Sequence, residues 1–166
     1  TLTTLLCSAT RNPAFKDCGD TQVSSGRVST QMGWYQFASS FIRGTSTLDV
    51  GSGMGDGMSV LRQHATEVYG LEVDIALAGP NMIIGNLSEI PSDSFESLCC
   101  IDVIEHIEND WHFVADLARV ARRQVLASTP NWTASRCHWP YHVREYRPQE
   151  LVALFKPYGT VELYKG

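Results

Sequence analysis

Residues 48–57 read Leu-Asp-Val-Gly-Ser-Gly-Met-Gly-Asp-Gly, an apolar strand end followed by glycine at every second position. Glycine adopts the positive φ angles of a tight turn and lets a ligand approach the backbone closely. The run therefore predicts a turn from a buried strand into a helix, with a nucleoside-like cofactor against it. The dinucleotide fingerprint Gly-x-Gly-x-x-Gly fails in both registers, because its last glycine falls on Asp56 or Met58. A nicotinamide cofactor is thus disfavoured.

A second apolar strand, predicted over residues 67–74, ends in two acids. Glu72 lies about twenty residues beyond the loop, where a carboxylate can accept hydrogen bonds from both hydroxyls of a ribose. Asp74 is interpreted instead as the N-cap of the short segment that follows. Glu72 is therefore the predicted ribose ligand.

A third run, residues 98–107, reads Leu-Cys-Cys-Ile-Asp-Val-Ile-Glu-His-Ile. Its apolar half predicts a buried strand, and Asp102, Glu105 and His106 follow at the carboxyl end, the ligand side of an open α/β sheet. One turn rarely supplies a complete metal shell, so no metal is predicted. We interpret His106 as a general base that Glu105 orients, and a hydrogen-bonded pair shaping the pocket floor stays an alternative.

The three runs, in this order, resemble the class I S-adenosylmethionine-dependent methyltransferases of small molecules. Residues 98–107 most closely resemble the ubiquinone-biosynthesis O-methyltransferases. The resemblance implies a Rossmann-like, doubly wound, mostly parallel α/β sheet with helices on both faces. It implies S-adenosylmethionine as cofactor and methyl transfer to a small-molecule acceptor, for which we expect a hydroxyl oxygen. The reaction would be direct displacement, in which the acceptor attacks the sulfonium methyl in line.

The resemblance also implies a set of cofactor-binding residues. At Asn86 the family usually has an aspartate that contacts adenine, and an asparagine can still accept that bond; an Asx turn is the open alternative for Asn86. The predicted cofactor residues are Asp49, Gly51, Ser52, Gly53, Met54, Gly55, Glu72, Val73, Asn86, Leu87 and Asp102.

Residues 132–147 form a predicted loop that is too long for a mere connector, and such loops usually carry function. The run from His142 to Leu151 resembles a segment of methyltransferases that act on sugars, lipids and other metabolites, with Pro148 opening a helix. His142 is the second candidate for substrate contact or base. A hydrogen bond that pins the loop is its open alternative.

Composition bounds the remaining possibilities. The chain has 166 residues, 43% of them hydrophobic, and a net charge of −5, so we expect a single domain over residues 29–166 preceded by an arm or lid over residues 1–28. The charge disfavours duplex nucleic acid as a partner. No apolar run of about 18 residues or secretion pattern is found, so a cytoplasmic protein without a membrane span is expected. Five cysteines, an odd number, argue against a disulfide framework.

Two features depart from the family pattern. Residues 75–80 leave little room for a crossover helix, and after a sixth predicted strand at residues 160–165 the final strand is absent. There are four alternatives for the open edge: truncation, disorder, cover by the amino-terminal arm, or a homodimer.

The competing functional interpretation is a cofactor-binding scaffold of the same fold, or another S-adenosylmethionine-using enzyme. A nucleic-acid amino-methyltransferase is disfavoured, because its Pro-Pro-aromatic motif is missing after the fourth strand.

Overall fold

The computed structural model describes residues 2–9, 29–135 and 139–165 and shows an α/β protein with one seven-stranded sheet. The strand order is β4-β3-β2-β5-β6-β1-β7, and every pair is parallel. The strands are β1 (Leu2–Ala9), β2 (Ser46–Val50), β3 (Glu67–Glu72), β4 (Met82–Ile84), β5 (Phe95–Ile101), β6 (Ala121–Pro130) and β7 (Gly159–Lys165). The helices are α1 (Ser29–Ser39), α2 (Asp56–Leu61), α3 (Asp110–Val120), α4 (Trp132–Ser135) and α5 (Pro148–Phe155).

Helices cover both faces of the sheet, as predicted. Alternate side chains of β5 enter different cores, because successive residues of a strand point to opposite faces. Cys99 and Ile101 pack with buried residues of α1 and α2, whereas Leu98 and Cys100 pack with buried residues of α3 and α5. A strand buried on both faces explains the continuous apolar run that predicted it.

The amino-terminal residues correct the predicted arm. Residues 2–9 form β1, which lies between β6 and β7 and is parallel to both. Cover by the amino-terminal residues was one of the four alternatives for this position of the sheet. The sheet is accordingly all parallel and not mostly parallel. The rest of the expected arm, residue 1 and residues 10–28, lies outside the described residues.

Helix α3 begins after Asn109, whose side chain accepts a hydrogen bond from the backbone N–H of His112. Asn109 is therefore the N-cap of this helix. Trp111 in its first turn is 71% exposed.

The connection between β3 and β4 is short, as expected. It contains only a 3-10 turn over Ile75–Leu77, which Asp74 caps by accepting from the backbone N–H of Ala76 at 2.9 Å. The capping role predicted for Asp74 is thus confirmed. Across the part of the chain that the structure describes, no helix has the length and apolar character needed to span a membrane.

Candidate active site

The predicted site residues gather at one edge of the sheet, where the carboxyl ends of parallel strands meet. The glycine loop follows β2, Glu72 ends β3, and the segment with Asn86 follows β4. Asp102 follows β5, and Thr129 lies near the end of β6. This edge is the ligand side of open α/β sheets.

The glycine loop adopts the turn that its sequence predicts. Gly51, Gly53 and Gly55 have φ angles of 69°, 57° and 85°, in the left-handed region. A Cβ on Gly51 would lie 2.6 Å from a methyl carbon of Val103. The first turn is held to β3, because the backbone N–H groups of Gly51 and Ser52 both donate to the carbonyl of Leu71. The loop is therefore a preformed concave backbone surface.

Asp49 lies beneath this loop and is fully buried. The Tyr35 hydroxyl of α1 donates to its carboxylate, at 2.9 Å from Oδ1 and 3.1 Å from Oδ2. Tyr35 is thus a buried anchor between α1 and β2. Gly57 makes room for the ring, because a Cβ there would overlap the Tyr35 ring. These residues fix α1 and α2 against the glycine loop.

Glu72 lies against the glycine loop, as its spacing predicts. Its Oε2 accepts from the backbone N–H of Gly53 at 3.0 Å, and its Oε1 accepts from the N–H of Val73 at 2.9 Å. The carboxylate is partly exposed. Each oxygen has a second lone pair, so Glu72 can accept further hydrogen bonds from a ligand on the loop. The exposed side chains of Met54 and Val73 flank this region.

The segment after β4 forms a 3-10 turn over Leu87–Glu89. The backbone N–H of Asn86 donates to Glu89 Oε2 at 3.0 Å, and Asn86 itself is exposed. Arg119 of α3 holds the turn by donating to the carbonyls of Leu87, at 3.2 Å, and Ile90, at 2.6 Å. The turn that carries the expected adenine contacts is thus tied to α3.

Asp102 turns sharply out of β5 with a φ of 52°, a left-handed conformation that aspartate tolerates better than most residues. Its Oδ1 accepts from the Ser128 hydroxyl at 2.6 Å, and its backbone N–H donates to the Ser128 carbonyl at 3.1 Å. The carboxylate is therefore held toward β6.

Glu105 and His106 both belong to the 3-10 turn Ile104–His106, which follows β5. A carboxylate oxygen of Glu105 and a ring nitrogen of His106 lie within 4.8 Å of each other. Glu105 is buried, and its Oε2 accepts from the Thr129 hydroxyl at 3.0 Å. Its carbonyl accepts from the backbone N–H groups of Val143 and Arg144 at 2.8 and 3.2 Å. Glu105 therefore joins the long loop to β6.

His106 meets His142 across the site. Their rings lie 4.9 Å apart between centroids, at an interplanar angle of 75°. His106 Nδ1 is 3.0 Å from the carbonyl oxygen of Tyr141, and His142 Nδ1 is 3.1 Å from Glu145 Oε1. A carbonyl only accepts, so Nδ1 of His106 carries the proton, and the lone pair of the neutral ring is on Nε2. The long loop thus brings both predicted histidines together.

The pKa of His142 is lowered from its usual value. Burial of the ring is the main cause, and the neighbouring His106 adds to it, while the Glu145 carboxylate opposes the shift. The neutral imidazole is thus favoured at neutral pH. A neutral ring is the form that accepts a proton or binds a metal.

The long loop is anchored to α3 through a buried acid. Asp110 Oδ2 accepts from the Tyr146 hydroxyl at 2.9 Å and lies 3.3 Å from Arg144 Nη1. Burial raises the pKa of the Tyr146 phenol, and the hydrogen bond to Asp110 raises it further. The loop is therefore fixed on both sides of the histidine pair.

Several residues that shape the site were not predicted from the sequence. They are Arg119, Ser128, Thr129 and Glu145. Hydroxyls at the carboxyl end of a strand were the available signal, because that edge is the ligand side.

A cavity of about 300 Å³ lies beside the glycine loop. It lies between α2 and the connection from β3 to β4. Its lining consists of Met54, Gly55, Met58, Arg62, residues 76–80 and Met82.

Part of the sequence is similar to a known protein family. Residues 48–127, from β2 to β6, match the family described as Methyltransferase domain. The matched range contains every predicted cofactor residue and the pair Glu105 and His106, but not His142. No curated protein matches the chain.

Solved structures with a similar fold include several methyltransferases. An S-adenosylmethionine-dependent methyltransferase from Archaeoglobus fulgidus has a TM-score of 0.64 and 14% identity, with 78% of this chain and 67% of that chain covered. One from Aquifex aeolicus has a TM-score of 0.56 and 19% identity, with coverage of 70% and 72%. The [4+2]-cyclase SpnF has a TM-score of 0.60 and 15% identity, with coverage of 78% and 57%. The predicted Rossmann-like methyltransferase fold is thereby confirmed.

Proposed function

We propose that this chain is an S-adenosylmethionine-dependent methyltransferase that transfers the cofactor's methyl group to a hydroxyl oxygen of a small molecule. The match of residues 48–127 to a methyltransferase domain supports the reaction type. The orientation of His106 carries this proposal. Its Nδ1 proton is committed to the Tyr141 carbonyl, which leaves Nε2 as a proton acceptor at the ligand edge of the sheet. The O-methyltransferase resemblance supports the choice of oxygen.

The glycine loop and Glu72 fit the cofactor. Gly51, Gly53 and Gly55 hold the backbone in the left-handed conformation, so the loop can present its backbone closely to a ligand. We assign the ribose hydroxyls to the Glu72 carboxylate and the adenine to Asn86 and Leu87, on the turn that Arg119 holds. Asp49 supports the loop from below through Tyr35. When bound, the cofactor supplies an electrophilic sulfonium methyl.

His106 takes the acceptor's proton in this mechanism. The acceptor hydroxyl would donate a hydrogen bond to Nε2, and the imidazole would take up that proton during transfer. His142, whose neutral form burial favours, would lie beside the acceptor and position it. Most of the acceleration would come from positioning the acceptor against the bound cofactor.

Substitution of the two histidines tests the proposal. Methyl transfer is measured with radiolabelled S-adenosylmethionine and a panel of phenols and alcohols. We expect His106→Ala to lower kcat by about 100-fold or more and to leave cofactor affinity within about 3-fold. We expect His142→Ala to raise the acceptor KM more than it lowers kcat. The exposed His112 provides the control substitution His112→Ala, which should change neither. Full turnover by His106→Ala would contradict the proposed base.

A second candidate function is a reaction of the same fold without methyl transfer. The similar [4+2]-cyclase supports it, and so does Asn86, which replaces the usual acid. In that case calorimetry would detect binding of S-adenosylmethionine, while no compound of the panel would acquire label. Labelled product from one acceptor would exclude this candidate.

The predicted partners belong to the same proposal. The net charge of −5 supports a small-molecule acceptor over duplex nucleic acid. A homodimer over a sheet edge stays a hypothesis, and β7 is the edge strand that such a dimer would cover. Sedimentation equilibrium measures the oligomeric state directly.

A further inference from the structure

The cavity between α2 and the connection from β3 to β4 has the size of a small-ligand pocket. Its volume of about 300 Å³ is at the lower end of the range for such pockets. Of the predicted cofactor residues, only Met54 and Gly55 belong to its lining, and Glu72, Asn86 and Asp102 do not. From its lining and charge we infer that the cavity binds a small carboxylic acid with an apolar body, at a site separate from the cofactor site.

The side chains that line the cavity are mainly apolar. Three of the chain's four methionines, Met54, Met58 and Met82, are among them, and the connection adds Leu77 and Pro80. Methionine is unbranched and its thioether is polarisable, so it adapts its shape to a bound molecule. The body of a ligand in this cavity is therefore apolar.

The short connection and a glycine of β3 give the methionines access to this space. Residues 75–80 contain no crossover helix, only the 3-10 turn Ile75–Leu77. On β3, a Cβ at Gly70 would lie 2.5 Å from Met82 Sδ and 2.9 Å from Met58 Sδ. The absence of a side chain at Gly70 thus lets both thioethers pack against the strand.

Arg62 provides the charge that selects an acid. It is the C-cap of α2 and lies four residues after Met58, so both side chains belong to one helix face. Within the part of the chain that the structure describes, the Arg62 guanidinium has no ion-pair or hydrogen-bond partner. The described lining contains no aspartate or glutamate. A guanidinium binds a carboxylate through two parallel hydrogen bonds, so an apolar molecule with one carboxylate complements both the walls and the charge.

Methionine methyl signals test the site directly, with octanoate as the probe. The full chain is labelled with carbon-13 at its methionine methyl groups, and single Met→Leu variants assign the signals. We expect octanoate to shift the signals of Met54, Met58 and Met82 in one saturable step. Met32 lies outside the lining and is the internal control. No saturable shift, or an equal shift of the Met32 signal, would overturn the site.

Substitution of Arg62 tests the contact with the carboxylate. We expect Arg62→Gln to lower octanoate affinity by about 5-fold or more. The same variant should bind 1-octanol, which has no charge, within about 2-fold of the parent chain. Arg43 is an exposed arginine outside the lining, so Arg43→Gln should bind octanoate as the parent does. Circular dichroism checks that each variant is folded. Parent-like octanoate affinity of a folded Arg62→Gln chain would refute the inference.

A competition experiment separates this cavity from the cofactor site. With S-adenosylmethionine at saturation, octanoate should still shift the Met58 and Met82 signals. Complete displacement of octanoate by the cofactor would instead assign the cavity to the cofactor site and overturn the inference. The titrations without cofactor require no methyl transfer, so failure of the proposed reaction leaves their outcome unchanged.

Discussion

At the scale of single residues, Glu72 shows how one carboxylate can shape a loop and still bind a ligand. It accepts hydrogen bonds from the backbone N–H groups of Gly53 and Val73, which fixes its position before any cofactor arrives. Preorganisation of this kind lowers the entropy lost on binding. Asp74, two residues on, is committed to capping a turn. The two acids of the same segment are thus expected to contribute differently to binding.

Alanine substitution of these two acids tests that difference. We expect Glu72→Ala to weaken binding of S-adenosylmethionine by about 1–3 kcal/mol, because hydrogen bonds to a charged acceptor are lost. Asp74→Ala is the matched control and should change the affinity by less than about 0.5 kcal/mol. Isothermal titration calorimetry gives both values. A larger effect of Asp74→Ala would move the ribose site to the other acid.

The sequence predicted which residues lie at the site better than it predicted their contacts. Spacing located Glu72 and His106, since the carboxyl ends of parallel strands meet at one edge. Spacing did not reveal the hydrogen bond from the Thr129 hydroxyl to Glu105, because four residues of sequence do not distinguish a 3-10 turn from an α-helical turn. The pairing of His106 with His142 joins residues 36 positions apart, and no local pattern encodes such a contact.

At the scale of elements, the connection between α3 and the long loop depends on a small polar cluster. Tyr146 is buried, and its hydroxyl donates to Asp110 at the first turn of α3. Arg144 lies against both groups, with its guanidinium 4.9 Å from the Tyr146 ring centre. The cluster fixes the end of the loop that follows His142. Helix α3 therefore helps to hold the histidine pair in place.

Removal of one hydroxyl tests this connection. We expect Tyr146→Phe to lower the free energy of unfolding by about 1–2 kcal/mol at neutral pH. The pKa of Tyr146 is raised in the folded chain, so the unfolded phenol loses its proton first, and the folded state loses stability as the pH rises above about 10. That loss should be smaller in Tyr146→Phe. Urea unfolding at a series of pH values measures both effects.

A second tyrosine serves as the control for that experiment. Tyr158 is exposed on the 3-10 turn after α5, and Tyr158→Phe should behave as the parent chain at neutral pH. If the two variants have equal stabilities and equal pH profiles, the hydroxyl of Tyr146 does not hold the loop.

Elements whose own sequence has a clear hydrophobic or turn pattern were predicted well. An element that depends on pairing with distant strands was not. The buried runs of β2 and β5 and the proline at the start of α5 predicted their elements. Strand β1 was missed, because its sequence, Leu-Thr-Thr-Leu-Leu-Cys-Ser-Ala, has no regular alternation of polar and apolar residues. Its strand conformation is decided by the two neighbours it pairs with, which lie more than 100 residues away.

At the scale of the whole molecule, β1 closes the sheet. It pairs with β6 over residues 3–9 and with β7 over residues 2–8. Without it, β6 would become an edge and β7 would have no partner among the described strands. Since β6 carries Ser128 and Thr129, which hold Asp102 and Glu105, the beginning of the chain supports the site from a distance.

A proline in β1 tests this arrangement. Thr3 pairs with Gln124 of β6 and Thr160 of β7, so its N–H lies inside the sheet, where proline removes a ladder hydrogen bond. We expect Thr3→Pro to be less stable than Thr3→Ala by about 1–3 kcal/mol, because a strand carbonyl loses its donor. Thr3→Ala is the matched control, since it shortens the side chain and keeps the N–H. Urea denaturation gives the difference. Equal stabilities would mean that β1 is not an inner strand, and the gap between β6 and β7 would then have to be filled by other residues or by a second chain.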